Sequence, residues 1–311
     1  MTYRKRISLI AALILFSILL CACALGEEET VTLTIRKKSL TVPVSSEYVD
    51  LDSLALRSRD DEYELLDAFI AALPNLKKLD MFSTNISRPR IEHLAERFPD
   101  VEFGWTMVIN CTNYTHPERD LHRIRTDTTA FSTLHNKYCI GHTAEDFSIL
   151  KYCKNLLALD IGHNRVSDLS FLYDLPNLKV LIVAINNQYV TDITPIGSLK
   201  NLEYLEIFHD DIRDISCLAG LDHLLDLNIA FNRITDYTPL LGLKNLERLW
   251  MANSWSDYMP VPEEEETRLR EALPDCTINT VSSPTEGGWR EHPRYFILNE
   301  MFNKSEYIPF T

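Results

Sequence analysis

The 311-residue chain is 45% hydrophobic and 24% charged, with a net charge of −14 at neutral pH. That balance supplies no basic footprint for nucleic acid and excludes charge-driven docking on anionic lipid headgroups. It suits a soluble body whose surface is mildly acidic.

Residues 1–22 read as a secretory signal. Arg4, Lys5 and Arg6 precede an apolar run from Ile7 to Ala22, shorter than the ~20 residues that span a bilayer. Its end, Leu20-Cys21-Ala22-Cys23, resembles a bacterial lipobox. The resemblance implies a lipidated Cys23 and a body held at the outer face of the cytoplasmic membrane or cell envelope, with an uncleaved anchor as the alternative. Within 23–59, an acidic tether leads to the alternation VTLTI and LTVPV around Lys37-Lys38-Ser39, which predicts a β-hairpin capping the first coil.

From 60 to 104 the pattern is helix and strand. Tyr63, Leu66, Phe69, Ile70 and Leu73 share a helical face that ends at Pro74, and Leu76, Leu79 and Met81 follow at strand spacing. A second helix from Arg90 to Arg97 leads to Val101 and Phe103. Residues 105–152 break the period and are expected to form an irregular insertion, with a strand extension from Trp105 and a helix from Ala144 to Cys153.

Residues 153–254 repeat. Leu156, Leu178, Leu202, Leu224 and Leu246 open successive copies 22 residues apart, with one step of 24. In the fourth copy Leu224, Leu227 and Ile229 alternate with polar Asp226 and Asn228, the pattern of a strand with one buried face. Asn164, Asn186, Asp210 and Asn232 stand where the chain turns inward, placed to bond free backbone groups inside the coil. Asp168, Asp192, Asp214 and Asp236 are placed to cap the next turn. A fixed period with an LxxLxL core predicts an α/β leucine-rich repeat solenoid: a parallel sheet on the concave face, helices and short turns on the convex face, and caps at both ends. The repeat LxxLxIxxNxIxDIxPLxxL resembles the 22-residue bacterial class of internalin-like proteins, and the resemblance implies a macromolecular partner on the concave sheet. In 255–311 a helix from Glu263 to Leu273 and a strand from Cys276 to Ile278 precede an aromatic-rich tail, read as a cap packed on the last coil.

The outward strand positions form the candidate ligand surface. Asp160, Tyr204, Glu206, Phe208, Asn228, Arg248 and Trp250 are expected to line an open concave face that binds a protein, peptide or glycan. Asp160 and Glu206 are expected to be solvated there, with nothing to tune them as an acid pair. For Phe208 the alternative is packing on the small residues beside it.

No P-loop, GxSxG or HExxH motif is present, so no catalytic residue, cofactor or metal is assigned. The alternative function is a metal-dependent enzyme or hydrolase built in 105–152, where His116, His122, His135, His142 and Cys139 fit no compact zinc spacing. Cys111 and Cys139 are a possible disulfide in an oxidising compartment. Cys153, Cys217 and Cys276 occupy repeat positions and read as small buried apolar residues.

Overall fold

The computed structural model describes residues 28–57, 59–110, 121–134, 140–186, 189–253 and 260–310. The signal segment, Cys23, Cys111, His116, His135 and Cys139 lie outside them. The chain divides into two compact units at residues 106 and 107.

In the first unit, β1 (Thr30–Ile35) and β2 (Lys38–Pro43) pair antiparallel across a two-residue turn. Val31, Leu33 and Ile35 are buried while the threonines between them face out, and β1 packs on helix α1 (Asp60–Ala71). The turn is anchored where Arg36 Nε donates to Glu62 Oε1 at 2.9 Å. Glu62 also receives the Arg57 backbone N–H at 2.8 Å, and these donors hold its carboxyl below the usual range against the opposing effect of burial.

Strands β3 (Tyr48–Asp50), β4 (Lys78–Met81) and the start of β5 (Glu102–Asn110) are parallel, with Tyr48 opposite Lys78 and Lys78 opposite Glu102. Helix α1 and helix α2 (Arg88–Arg97) link successive strands, so this unit has full helices on its outer side. Strand β3 has no sequence signature of its own, because three residues of alternation are too few to stand out without their partner strand.

The second unit is built on a seven-stranded parallel sheet. Its members are β7 (Ala130–Ser132), β8 (Ala158–Asp160), β9 (Val180–Ile182), β10 (Tyr204–Glu206), β11 (Asp226–Asn228), β12 (Arg248–Trp250) and β13 (Thr277–Asn279). Register is strict, so Leu159, Leu181, Leu205, Leu227 and Leu249 form one file, all fully buried. Each leucine is thereby covered by the coil before and the coil after it, the arrangement that makes stacked repeats share one core.

The return path of the regular coils is tight rather than helical. Short 3-10 turns at Ser170–Asp174, Thr194–Ser198, Ser216–Leu218 and Thr238–Leu240 follow Asp168, Asp192, Asp214 and Asp236. Each of these aspartates accepts a backbone N–H two residues on, at 2.8–2.9 Å. The inner ladder is equally regular. Asn232 Nδ2 donates to the carbonyls of Ile207 and Ile229 at 2.8 and 3.0 Å, and Asn164 Nδ2 donates to that of Ile161 at 3.0 Å. Asp210 stands in for asparagine by accepting the Asn186 N–H at 2.9 Å.

The stretch expected to be an irregular insertion is in part a coil. β5 ends in this unit, where its hydrogen-bonded neighbour is β6 (Leu121–Arg125). β7 then joins the main sheet with Phe131 opposite Leu159 and Ser132 opposite Asp160. Helix α3 (Ala144–Phe147) and a 3-10 turn (Ser148–Tyr152) complete that coil. His142 is buried in it, and its backbone N–H donates to Asn164 Oδ1 at 3.0 Å. The leucine signature is hidden because Phe131 takes the leucine place and the return path is longer than in the regular repeats.

After α4 (Glu263–Ala272) and β13, the chain turns back. Gly287 and Gly288 have φ values of 67° and 98°, and a Cβ on Gly287 would lie 2.4 Å from Ser282 Oγ, so this reversal needs glycine. Helix α5 (Pro293–Lys304) follows, capped by His292, whose Nδ1 accepts the Arg294 N–H at 3.3 Å. The tail is therefore no end cap. It lies across the concave wall, with Leu298, Met301 and Phe302 packed in one cluster with Ala130, Ala158, Val180, Tyr204 and Trp250.

Candidate functional site: the concave wall and the segment that covers it

The wall residues expected to meet a partner are buried. Asp160, Tyr204, Glu206, Phe208, Asn228, Arg248 and Trp250 all have 5% or less of their surface exposed. For Tyr204, Glu206, Asn228, Arg248 and Trp250 the physical reason is the C-terminal segment, which supplies apolar cover and polar partners.

Trp289 is the centre of the cover. It is fully buried, with its ring 5.1 Å from that of Trp250 and 5.7 Å from that of Tyr204. Its indole Nε1 donates to Glu206 Oε1 at 2.8 Å, and the Arg248 guanidinium stands 4.4 Å from its ring centroid. The Tyr204 hydroxyl donates to the same Glu206 oxygen. Arg248 Nε donates to Asp226 Oδ1 at 2.7 Å and its Nη1 to the Trp289 carbonyl at 3.1 Å. Arg294, from α5, reaches the same Asp226 oxygen at 2.6 Å and also pairs with Glu247.

Backbone carbonyls of the reversal complete the set. Asn228 Nδ2 donates to Pro284 O at 2.8 Å, and Trp250 Nε1 donates to Glu286 O at 3.0 Å. At the other end, the Tyr307 N–H donates to Thr129 Oγ1 at 2.8 Å. Each polar wall residue thus has a partner, and a macromolecule does not reach this strip while the tail is in place.

Asp160 and Glu206 differ from the expectation of solvated acids. Asp160 accepts Ser132 Oγ at 2.7 Å and the Gly162 N–H at 3.0 Å. Burial pushes the Glu206 carboxyl above its ordinary range, while hydrogen bonds from Tyr204 and Trp289 pull the other way and Asp160 adds to the rise. Both line one cavity of about 70 Å³ between the wall and α5, together with Arg290 and Asn299.

The upper strip of the wall is different. Phe208 packs with Ala184, Ala230 and Ala252, the packing alternative for that residue, and Ile185 and Phe231 flank the cluster. Just beyond the strands, His163, Ile185, His209 and Phe231 all hold left-handed backbone, with φ between 56° and 62°. His209 is exposed, and the other three are half-buried. Its ring lies 6.1 Å from that of Phe231 in an edge-on arrangement.

Trp289 and Arg294 are the central residues that strand periodicity does not reach; it marks Asp226 as outward but not its partner on the tail. The signal that finds them is complementarity: an acidic and aromatic wall, and a tail reading WREHPRYF. The three repeat cysteines are free, and burial pushes the thiols of Cys153 and Cys276 up to about 12, as expected of packed, unreactive groups. Among the described residues no three metal-ligating side chains converge.

Comparison with known proteins agrees with the repeat reading. The family described as Leucine Rich repeats (2 copies) matches residues 154–198. No curated protein matches the chain. Similar solved structures include internalin C2 from Listeria monocytogenes, at 24% identity over 51% of this chain and 76% of that one, with a TM-score of 0.34. Internalin F from the same organism is 18% identical over 71% and 65% of the two chains, with a TM-score of 0.33. A leucine-rich repeat protein from Leptospira interrogans is 17% identical over 72% and 81%, with a TM-score of 0.35. The solenoid is carried by the chain's own parallel sheet, 22-residue period and asparagine ladder.

Proposed function

We propose that this leucine-rich repeat protein is an exported, lipid-anchored binding protein that meets a protein partner on the upper rim of its inner wall. The observation that carries the reading is the left-handed rim of His163, Ile185, His209 and Phe231. Left-handed backbone disfavours side chains with a Cβ, and most of all a β-branched one such as Ile185; glycine or asparagine would serve the turn with less strain. Four bulky side chains held in that conformation side by side, one on each of four successive coils, form an apolar and aromatic strip at the edge of a rigid sheet. Rigid aromatic anchors of this kind suit a protein partner. The lipobox-like segment ending at Cys23 supports the anchor and the outward location.

The test is photo-crosslinking of the full-length chain in its native envelope, with p-benzoyl-phenylalanine at position 209 or 231 and at the exposed convex Tyr173 as control. A discrete adduct from 209 and 231 but not from 173 is expected. Adducts from 173 alone end the rim reading. Separately, Cys23→Ser is expected to release the chain from the membrane fraction; if it stays there, the lipid anchor is wrong.

A further inference from the structure

The rim borders a recess. We propose that the cavity between the wall and α5 receives a primary ammonium group, presented by a lysine side chain of the protein bound on the rim; this rests on the rim reading above. The cavity is lined by Asp160 and Glu206 from the wall and by Arg290 and Asn299 from the tail.

Glu206 shows what the recess lacks. Its Oε1 is used twice, by the Tyr204 hydroxyl and the Trp289 indole. Its Oε2 receives no hydrogen bond from any described residue, although the side chain is 3% exposed and lines the cavity. That oxygen is left to the cavity, and the strongest partner a carboxylate oxygen can take there is a charged donor. Burial pushes this carboxyl upward, and the hydrogen bonds from Tyr204 and Trp289 and the charge of Arg290 offset that only in part.

Charge and size narrow the ligand. Two carboxylates face one guanidinium, and Arg290 lies over the Tyr295 ring at 5.4 Å and forms no ion pair among the described residues. His163, which also lines the cavity, is held neutral by burial, which lowers its pKa. The site therefore favours a cation. A volume of about 70 Å³ is roughly twice a water molecule's share of the liquid, far below the ~300–1,000 Å³ of drug-sized pockets. That excludes a sugar ring or a nucleotide and suits an ammonium with its terminal methylenes. Ile182, Phe208 and Phe302 give those methylenes an apolar lining. The net charge of −14 favours approach of a basic partner.

The probe is n-propylammonium, titrated into the full-length chain while the Trp289 indole N–H resonance is followed, because that proton is bonded to Glu206. A saturable shift is expected with propylammonium and none with 1-propanol. Glu206→Gln keeps the shape and an acceptor for Trp289, and is expected to weaken binding by about tenfold or more while melting no lower than the parent. No saturable shift, or equal affinity in Glu206→Gln, overturns the ammonium site. Nα-acetyl-lysine N-methylamide must bind at least as tightly as propylammonium; if it does not enter, the lysine source is overturned in favour of a free amine. A functioning ammonium site together with a failed crosslink at 209 and 231 would sink the rim reading alone.

Discussion

Two strips of one sheet have opposite fates. The middle strip, with Tyr204, Asp226, Arg248 and Trp250, holds charged and aromatic residues and is sealed by the tail. The upper strip, with Ala184, Phe208, Ala230 and Ala252, is mostly small, yet it adjoins the rim where His209 remains exposed. Residue types alone point to the middle strip as the recognition surface. The hydrogen bonds show that much of its recognition chemistry is already engaged within the chain: an aromatic anchor, an arginine fork and bonded carbonyls, the elements of a protein interface.

Substitutions can break this contrast. The largest effect is expected from Trp289→Ala, which removes the fully buried ring and leaves Glu206, Tyr204 and Trp250 uncovered. A loss of about 3–5 kcal/mol is expected by denaturant titration; a loss under about 1 kcal/mol would mean the tail is only loosely laid on the wall. Arg294→Ala comes next, at about 1–3 kcal/mol, because Asp226 keeps Arg248 but loses its second donor.

Glu206→Gln should have a smaller effect of opposite sign. The folded carboxyl titrates above the ordinary 4.5, so the parent gains stability as pH falls from neutral toward that value. Glutamine is uncharged throughout. Its advantage over the parent is therefore greatest at neutral pH and closes below about 4.5, as read from melting temperatures across pH. Asp160, Arg290, His163, Tyr204 and Trp289 all face this group, so the profile belongs to the cluster rather than to one residue. The smallest effect on stability belongs to the rim: Phe231→Ala is expected to shift it within about 0.5 kcal/mol while reducing partner capture.

Most of the second unit's architecture is legible in residues. Leu205 and Leu227 announce the spine by their spacing, and Asn164, Asn186 and Asn232 announce the inner ladder. Both signals are periodic and local, so they survive reading one coil at a time. The coil through Phe131 is harder, because one aromatic in a leucine place and a longer return path erase the period. The cover is harder still. Trp289 meets Glu206 and Trp250 across more than thirty residues of chain, and no periodicity encodes which face of a sheet a tail will choose. An aromatic-rich tail suits an end cap as well as a wall cover. What separates them is the match between Arg294 and Asp226, visible only when the two segments are compared with each other.

The path of the tail has a further consequence for how the second unit comes apart. A stack of repeats joined only to its neighbours unzips from its ends, coil by coil. Here one segment is fastened near Thr129 beside the first strand and near Arg248 and Trp250 on the sixth. It acts as a tie rod along the stack, so end coils cannot peel away without releasing the whole wall. Amide exchange in β7 should then slow to the rate of the central strands, and the coils should be lost together in a single transition.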